Sequence, residues 1–450
     1  MISRLIISPS SIRYSPWVCN VEELVSAKTN LLVRNRDFRL VWIGQVLSQA
    51  GSRAYFINLL WWIVSTSSGP SWQGHNSAWA SGLLLIIMGL PSILFMNFIG
   101  RVLARHASKK ILVGFESVGG LLTVAVFALA VSDSLTLPWI YGLSGLIALC
   151  QAFVDPALIN AVPELVDPAD IEDAVGFESA TQALAYFSGA ALGAVASGTL
   201  GFSVTIGLNA MSYVLSAWMT SRARFRQRPN LSVSTPAPPA AAAAAPAPEF
   251  DTEIDRLLNA FGLANIFIFP LFLILPLFVK ESLQGSILLL GYLEACFWLG
   301  LIIGANQAWR LRVAGSFMKM CGILFLVFGS LITTIALYPK TAWVGLVLLC
   351  GGISAGLVNV KVVTYFQKTV PEASRGAFFA KLQAYVAGAQ PASYFLFTGV
   401  LLVISPLHSF AVSGLGLASI GAFCWWHDRN RNTENSNSKN LSLNLSRTNL

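Results

Sequence analysis

The 450-residue chain is 55% hydrophobic and only 11% charged, and its mean hydropathy is +0.65. Soluble domains carry about 25% charged residues, so this composition excludes an ordinary soluble protein and predicts a chain that crosses a membrane many times. The net charge of +8 does not require a nucleic acid partner, because Lys and Arg in the cytoplasmic loops of a membrane protein produce the same excess. We expect membrane lipids, and no nucleic acid, around the chain.

Apolar runs along the chain predict twelve membrane-spanning α-helices, each long enough to cross about 30 Å of hydrocarbon. The runs are too long and too uniformly apolar for the alternating pattern of a transmembrane β-barrel. We therefore predict an all-α polytopic membrane protein. The predicted spans are residues 39–65, 78–100, 111–132, 137–161, 174–199, 201–220, 256–279, 284–308, 316–337, 341–367, 377–402 and 406–427.

Composition divides the chain into five parts. Residues 229–252 are rich in Pro and Ala and predict an extended linker. This linker separates an N-terminal bundle of six helices, residues 37–228, from a C-terminal bundle of six, residues 253–428. Residues 1–36 form a weakly patterned N-terminal tail. Residues 429–450 are polar and repetitive, which predicts a disordered C-terminal tail.

Basic residues collect in the loops on one side of this topology, which indicates the cytoplasmic side. Both tails and the linker fall on that side, so we predict a protein of the cell (cytoplasmic or inner) membrane with both termini in the cytoplasm. The opposite loops contain only Lys280 and Lys340. The basic loops contain Arg101, Arg105, Lys109, Lys110, Arg222, Arg224, Arg226, Arg228, Arg310, Arg312, Lys319, Lys368 and Arg375.

An acidic bend, VPELVDPADIED at residues 162–173, interrupts the apolar pattern between the fourth and fifth spans. Asp167 followed by Pro168 has the form of a helix N-cap with proline at the first helical position, so we predict a helix start here. The letters VPE return at residues 370–372, between the fourth and fifth spans of the second bundle. This recurrence predicts an internal repeat of two six-helix halves.

Several segments resemble the major facilitator superfamily, and within it the branch of macrolide-efflux and enterobactin-exporter-like proteins. They are NRDFRLVWIGQVLSQAGSR at 35–53, GLP at 89–91, FVDPA at 153–157, VPELV at 162–166 and LNAMSYVLSAW at 208–218. The resemblance covers about residues 35 to 427. It implies two six-helix halves with a substrate site between them. It also implies proton-driven efflux of a small amphiphilic molecule (a drug, siderophore or secondary metabolite) by alternating access in a monomer.

The loop between the second and third spans resembles the gating loop of that family, but Ala104 stands where the family has Asp. A second departure lies in the first span, where Ser52 stands at a position at which relatives often carry an acid. These departures leave two alternatives open: a lysophospholipid-like lipid transporter, and a non-transporting scaffold or sensor with the same fold. The residues that match the family's loop are Gly100, Arg105, Lys109 and Lys110.

Polar residues in the first span recur at spacings of three and four and form one helical stripe. Lipid would penalise this stripe, so it should face a cavity or another helix. Arg53 lies about 20 Å into the span at 1.5 Å per residue, where it could contact a substrate or form a structural ion pair. As a substrate contact, it would attract an anionic or electron-rich group. The stripe consists of Gln45, Ser48, Gln49, Ser52 and Arg53.

Glu294 is the predicted proton carrier, because it lies about 15 Å from the outer end of the eighth span and an ionised carboxylate at that depth is costly. The alternatives are a permanent partner of Arg53 or a neutral hydrogen-bond donor. Glu116 is a weaker candidate, because we expect it near the cytoplasmic interface, where water keeps it ionised.

Four further residues are candidates near the cytoplasmic ends of the spans. Asp155 is a possible substrate or coupling residue, with a helix-end hydrogen bond as the alternative. Lys361 is another, with an amine that extends to the interface as the alternative. Glu178 and Lys381 begin equivalent spans and could form a latch between the two halves.

The sequence carries no motif for catalysis or for a bound cofactor. It contains no GxxxxGK[ST] phosphate loop, no CxxC pair and no zinc-ligand spacing, so we predict no catalytic residues, metal or cofactor. Gly189 and Gly193, spaced as GxxxG, and the pair Gly351-Gly352 predict close helix packing.

Overall fold

The computed structural model describes residues 31–66, 75–226, 252–310 and 316–448. These residues are almost entirely helical and contain no strand. The predicted linker and most of the predicted N-terminal tail lie outside the described residues.

The helices are numbered α1 to α14 in chain order, and a short 3₁₀ helix, Pro168–Asp170, joins α5 to α6. They are α1 Arg36–Thr66, α2 His75–Leu94, α3 Met96–Arg105, α4 Ser108–Val131, α5 Leu137–Leu165, α6 Ile171–Leu200, α7 Phe202–Arg222, α8 Thr252–Ile268, α9 Leu271–Glu281, α10 Ile287–Gln307, α11 Phe317–Leu337, α12 Thr341–Thr369, α13 Glu372–Leu401 and α14 Pro406–Thr448.

All twelve predicted spans are present. The second span is divided into α2 and α3, the seventh into α8 and α9, and each remaining span is one helix. Length and composition alone identify nine candidate membrane spans among the described residues, and α1, α7 and α13 are the three that this criterion omits. For α1 the reason is its polar stripe, which lowers its hydropathy without shortening the helix.

The structure differs from the sequence expectation at the C-terminus. Helix α14 continues to Thr448, whereas a disordered tail was expected after residue 428. After Gly421 the sequence contains no further glycine and no proline to end a helix, so the last span continues into the polar segment.

The break in the seventh span has a direct cause in the sequence. Pro270 has no amide hydrogen, so the carbonyl oxygen four residues earlier, on Ile266, has no helical donor. The Ser393 hydroxyl of α13 donates to this oxygen at 2.8 Å, and the Ser413 hydroxyl of α14 donates to the Phe267 oxygen at 2.6 Å. Two neighbouring helices thus supply the hydrogen bonds that the break removes.

The chain forms two bundles, one on each side of the undescribed linker, and the same helix pairs pack in each. Spans 1 and 5, 1 and 6, 2 and 4, 3 and 4, and 3 and 6 pack together in the first bundle, and the corresponding five pairs pack together in the second. This correspondence is the packing expected from the internal repeat. We call the bundles the N half and the C half.

The two halves meet mainly along two helix pairs, α6 with α10 and α2 with α13. A Cβ atom added to Gly82 or Gly291 would collide with Thr398 or Ala194 of the opposite half. The Ser77 hydroxyl, at the start of α2, donates to Glu281, at the end of α9, at 3.2 Å. These contacts lie toward the ends of the helices that are opposite the basic loops, which we call the non-basic end.

Candidate substrate and coupling site

A buried ion pair joins the two halves. The Arg53 guanidinium of α1 donates to the Glu294 carboxylate of α10, and both side chains are almost fully buried. This pairing is one of the alternatives that the sequence left open for both residues. A buried guanidinium and carboxylate neutralise each other, and removing either one would leave an uncompensated charge.

Aromatic rings from both halves surround the Arg53 guanidinium. Its central carbon lies 4.6 Å from the ring centre of Phe56 and 5.9 Å from that of Tyr186 in the N half. It lies 5.0 Å from Phe272 and 5.4 Å from Trp298 in the C half. We call these four rings the aromatic cage. Ring faces at these distances attract a cation, so the cage holds the guanidinium together with Glu294.

The ion pair lies toward the non-basic end of α10. This helix begins at Ile287, three residues after the predicted start of the span, so Glu294 is about 11 Å from the helix end at 1.5 Å per residue. Two buried atoms of the pair, Nε of Arg53 and Oε1 of Glu294, have no hydrogen-bond partner in the described structure. The pair is therefore electrically balanced but keeps unused hydrogen-bonding capacity.

The first half of the polar stripe faces the interior of the N half. The Gln45 amide donates to Glu116 at 2.6 Å, and the Ser216 hydroxyl donates to the same carboxylate oxygen at 2.8 Å. Gln45 is 1% exposed and Glu116 is fully buried. The expectation that water keeps Glu116 ionised at an interface is therefore wrong, and Gln45 contacts another helix in this conformation. Gln49 is half-buried.

Ser52, at the position where relatives often carry an acid, belongs to a second polar cluster inside the N half. Its hydroxyl donates to the Tyr213 oxygen at 3.0 Å, and Gln151 donates to the same oxygen at 2.7 Å. One tyrosine thus connects α1, α5 and α7.

Asp155 does not make the helix-end hydrogen bond that sequence analysis offered as its alternative. Helix α5 continues ten residues beyond it to Leu165. The side chain is solvent-accessible although protein atoms surround it at longer range, which places it in an open cleft. It also lies within electrostatic range of Tyr186 in the cage. Lys361, on α12, is half-buried.

The gating loop attaches the start of α4 to the neighbouring chain segments. The Lys109 amine donates to the Ala223 carbonyl at 2.7 Å and lies 5.8 Å from the Phe225 ring centre. The buried Ser108 hydroxyl donates to Glu164 in the acidic bend at 2.8 Å. Gly100, Arg105 and Lys110 lie in the same loop region, on α3 and the first turn of α4.

The acidic bend binds arginines rather than capping a helix with its side chains. Asp167 precedes Pro168 as predicted, but its side chain makes no cap hydrogen bond. Instead Arg226 donates to Asp167 at 2.6 Å, and Arg34 donates to Asp170. The hydrogen bond from Arg226 lowers the pKa of Asp167 below its ordinary value, and Asp167 raises the pKa of Arg226. The bend thus ties the chain before α1 and the chain after α7 to the N half.

The proposed latch between Glu178 and Lys381 stays a prediction. The Lys381 amine donates to Asp255 of its own half at 2.8 Å. The side chain of Glu178 lies outside the part of the structure that is described.

Sequence reasoning missed the aromatic cage. Four helices contribute one ring each, and each ring by itself looks like an ordinary apolar residue in a span. A signal was nevertheless present for two of them, because Phe56 follows Arg53 by three residues and Trp298 follows Glu294 by four, which places each ring beside its charge on the helix surface.

Comparisons with known proteins agree with this architecture. The family model described as the Major Facilitator Superfamily matches residues 41–394. The chain therefore belongs to the major facilitator superfamily, whose members are transporters and not enzymes. Macrolide efflux protein A of Streptococcus pyogenes is 20% identical over 398 residues, which cover 86% of this chain and 95% of that protein.

Solved structures of the same fold have low sequence identity. The nucleoside transporter NupG superimposes with a TM-score of 0.66 at 12% identity, covering 87% of this chain and 99% of that one. A bacterial homologue of the iron transporter ferroportin, in an inward-facing state, gives a TM-score of 0.65 at 14% identity, covering 88% and 98%. A bacterial homologue of the human lysosomal transporter Spinster, inward-facing and unoccupied, gives 0.64 at 13% identity, covering 88% and 96%. These likenesses establish the fold of a transporter.

Proposed function

We propose that the protein exports a small amphiphilic compound by alternating access, driven by entry of protons. It works as a monomer in the cell membrane, with the basic loops and both termini in the cytoplasm. The observation that carries this proposal is the ion pair of Arg53 and Glu294, which takes one charge from each half. Lys/Arg asymmetry supports the orientation, and the name of the macrolide efflux relative supports export.

The conformation supports loading from the cytoplasm. The halves touch near the non-basic end, through Ser77 with Glu281 and through the Lys280 amine, which lies 5.6 Å from the ring centre of Trp61. Asp155, farther toward the basic end, is accessible to solvent. A compound in the cytoplasm would reach the cleft beside Asp155, whereas the contacts between the halves close the non-basic end.

The position of the ion pair supports proton coupling. Release on the outside requires the halves to separate at the non-basic end, which would part Arg53 from Glu294. An ionised Glu294 alone in that environment would be costly, so a proton from outside would neutralise it. When the halves close again, Arg53 would replace that proton, which then leaves toward the cytoplasm. Each cycle moves one proton inward.

The first experiment is a substrate screen in cells that lack their own export pumps. The panel contains cationic, anionic and neutral amphiphiles and a lysophospholipid. We expect the protein to lower the accumulation of an amphiphilic compound, and selective movement of the lysophospholipid would favour the lipid alternative. A chain that changes the accumulation of no compound would be a scaffold or sensor, and the proposal would be wrong.

Orientation is tested by single cysteines and a membrane-impermeant label in intact cells. Thr235→Cys in the linker and Asn440→Cys near the C-terminus should stay unlabelled from outside. Asp133→Cys, in the loop between α4 and α5, should react. External labelling of the first two positions would show that the orientation is the reverse of the one proposed.

Coupling is tested in proteoliposomes with the compound that the screen identifies. The double variant Arg53→Met/Glu294→Gln removes both charges at once and leaves no unpaired charge. We expect downhill exchange to survive and accumulation driven by a pH gradient to be lost. Glu116→Gln is the matched control, because it removes another buried acid that lies entirely within the N half. Unchanged gradient-driven accumulation in the double variant would remove the ion pair from the mechanism.

A further inference from the structure

Asp155 is a charged group that the proposed proton cycle does not use. It lies about 15 Å inside the basic end of α5, at 1.5 Å per residue from Leu165. Its carboxylate is solvent-accessible, and within the described part of the chain it has no hydrogen-bond or ion-pair partner. Ionisable side chains within membrane spans are costly, and they usually mark a pathway for a substrate or an ion. The accessible, unpartnered carboxylate is therefore a candidate ligand-binding group.

The surroundings of Asp155 suit a cation that carries an apolar body. Tyr186 lies within electrostatic range of the carboxylate. Its ring packs on Trp298 at 4.7 Å, and Trp298 stacks on Phe272 at 5.5 Å. The rings of Tyr186 and Trp298 are half-buried, and they continue to the contact between the halves. Aromatic ring faces attract cations, as the carboxylate does.

The contact between the two halves already contains a cation that is bound by a carboxylate and aromatic rings. The guanidinium of Arg53 is held by one carboxylate and the aromatic cage, which includes Tyr186 and Trp298. Arg53 is neutralised by Glu294 and is 9% exposed. It therefore presents no free positive charge to a substrate in this conformation. The Asp155 carboxylate, by contrast, is accessible.

We infer that Asp155 anchors a positively charged nitrogen or phosphorus centre of the exported compound, and that Tyr186 and Trp298 bind its apolar body. The substrate class is thus a lipophilic organic cation. The assignment of this ligand as a substrate rests on the proposed export function. Binding of the ligand, however, can be measured at equilibrium in detergent, without a gradient and without transport. Failure of the site and failure of the function can therefore be told apart.

The test uses two probes of the same shape and opposite charge, tetraphenylphosphonium and tetraphenylborate. Binding of each radiolabelled ion to the purified full chain is measured by equilibrium dialysis. We expect the wild-type protein to bind the phosphonium and to discriminate against the borate. Asp155→Asn should weaken phosphonium binding roughly ten- to a hundredfold, the range for loss of a hydrogen bond or contact to a charged group. Asp155→Glu, which keeps the charge, should retain most of it.

Two further variants separate the site from general effects. Tyr186→Leu should weaken phosphonium binding about three- to tenfold through loss of the cation–π contact. Asp133→Asn should leave it unchanged, because Asp133 is an exposed acid outside the spans, and Asn tolerates its positive φ of 52°. Equal phosphonium binding by wild type and Asp155→Asn would overturn the inference, as would preference for the borate or binding of neither ion by the wild type. Binding without transport would leave the site standing and overturn the export function.

Discussion

The N half and the C half share the same helix pairing but are held together by different contacts. In the N half, polar side chains connect the helices: Gln45 and Ser216 meet on Glu116, and Ser52 and Gln151 meet on Tyr213. In the C half, backbones approach directly at glycine. A Cβ atom on any of four glycines would overlap a carbonyl oxygen of the facing helix; these are Gly300 and Gly304 on α10 and Gly352 and Gly356 on α12.

This difference indicates which half can change its packing more easily. Side-chain hydrogen bonds can exchange partners when helices shift by a fraction of a turn, whereas backbone contact at glycine fits one register. We therefore expect the C half to behave as the more rigid body. The N half also contains a close backbone contact, between Gly189 of α6 and Ala50 of α1. A Cβ atom added to Gly189 would lie 2.5 Å from the Ala50 carbonyl oxygen.

The largest effect should come from the charge pair that the halves share among the described residues, Arg53 with Glu294. Glu294→Gln leaves the Arg53 guanidinium buried without a counter-charge, and a guanidinium cannot lose its proton. We expect a loss of about 3–5 kcal/mol in the free energy of unfolding, measured by denaturation in detergent. Arg53→Met should cost less, because the remaining Glu294 can take up a proton.

The double variant Arg53→Met/Glu294→Gln is the control for that prediction. It should recover most of the stability that Glu294→Gln loses, because replacing a whole buried pair is often neutral. A double variant as unstable as Glu294→Gln would mean that the carboxylate itself, rather than the pairing, stabilises the contact between the halves.

The next largest effect compares glycines from the two halves. Gly304→Ala places a methyl group on the Ile353 carbonyl oxygen, so the helices α10 and α12 must separate. We expect a loss of about 1–3 kcal/mol, measured as above. Gly119→Ala in the N half should be nearly neutral, because its Cβ position is 3.4 Å from the Tyr213 ring, which is ordinary contact. Gly388→Ala, with open space around it, should gain about 0.5–1 kcal/mol from helix propensity.

The sequence predicted the spans well because a helix must keep about 20 mainly apolar residues in a row to cross the hydrocarbon layer, and such runs are visible in the sequence. It also predicted that Gly189 and Gly352 lie at close helix contacts. It placed the start of the eighth span at residue 284, whereas α10 begins at Ile287, after a turn at Gln284, a residue with φ of 47°. Predicting this turn would have required the positive φ to be known in advance.

The site was only partly predictable for a physical reason. Spacing along one helix shows which residues share a face, and this identified Arg53, Gln45 and Gln49 as one stripe. It does not show which helix that face meets. The contact of Gln45 with Glu116 and the contact of Arg53 with Glu294 depend on how α1 packs against α4 and α10, which a periodicity within α1 does not contain.

A smaller effect should arise where the C half does use side chains, at the break between α8 and α9. Ser393→Ala and Ser413→Ala each remove a donor to a carbonyl that the break leaves open. We expect each to cost about 1 kcal/mol, and the double variant about the sum, since the two hydroxyls serve different carbonyls. Ser419→Ala, an exposed serine of α14 that bonds within its own helix, should change the stability little. Equal effects at all three serines would show that these two hydroxyls do not support the break in particular.

The smallest effect should be at the acidic bend, where the N half holds its flanking segments through exposed charges. Arg226 lowers the pKa of Asp167 in the folded protein, so the pair stabilises the fold above the unfolded pKa of about 3.9. This contribution should be constant from pH 5 to 8, and it should fall below about pH 4 as the pH passes through the lowered pKa of the folded state. Because both side chains are exposed, 0.5 M salt should also weaken it. The measurement compares thermal unfolding of wild type and Asp167→Asn at pH 7 and pH 3. We expect a small difference at pH 7 that is smaller at pH 3. A difference of the same size at both pH values and in high salt would mean that Asp167 acts through its position before Pro168 and not through its charge.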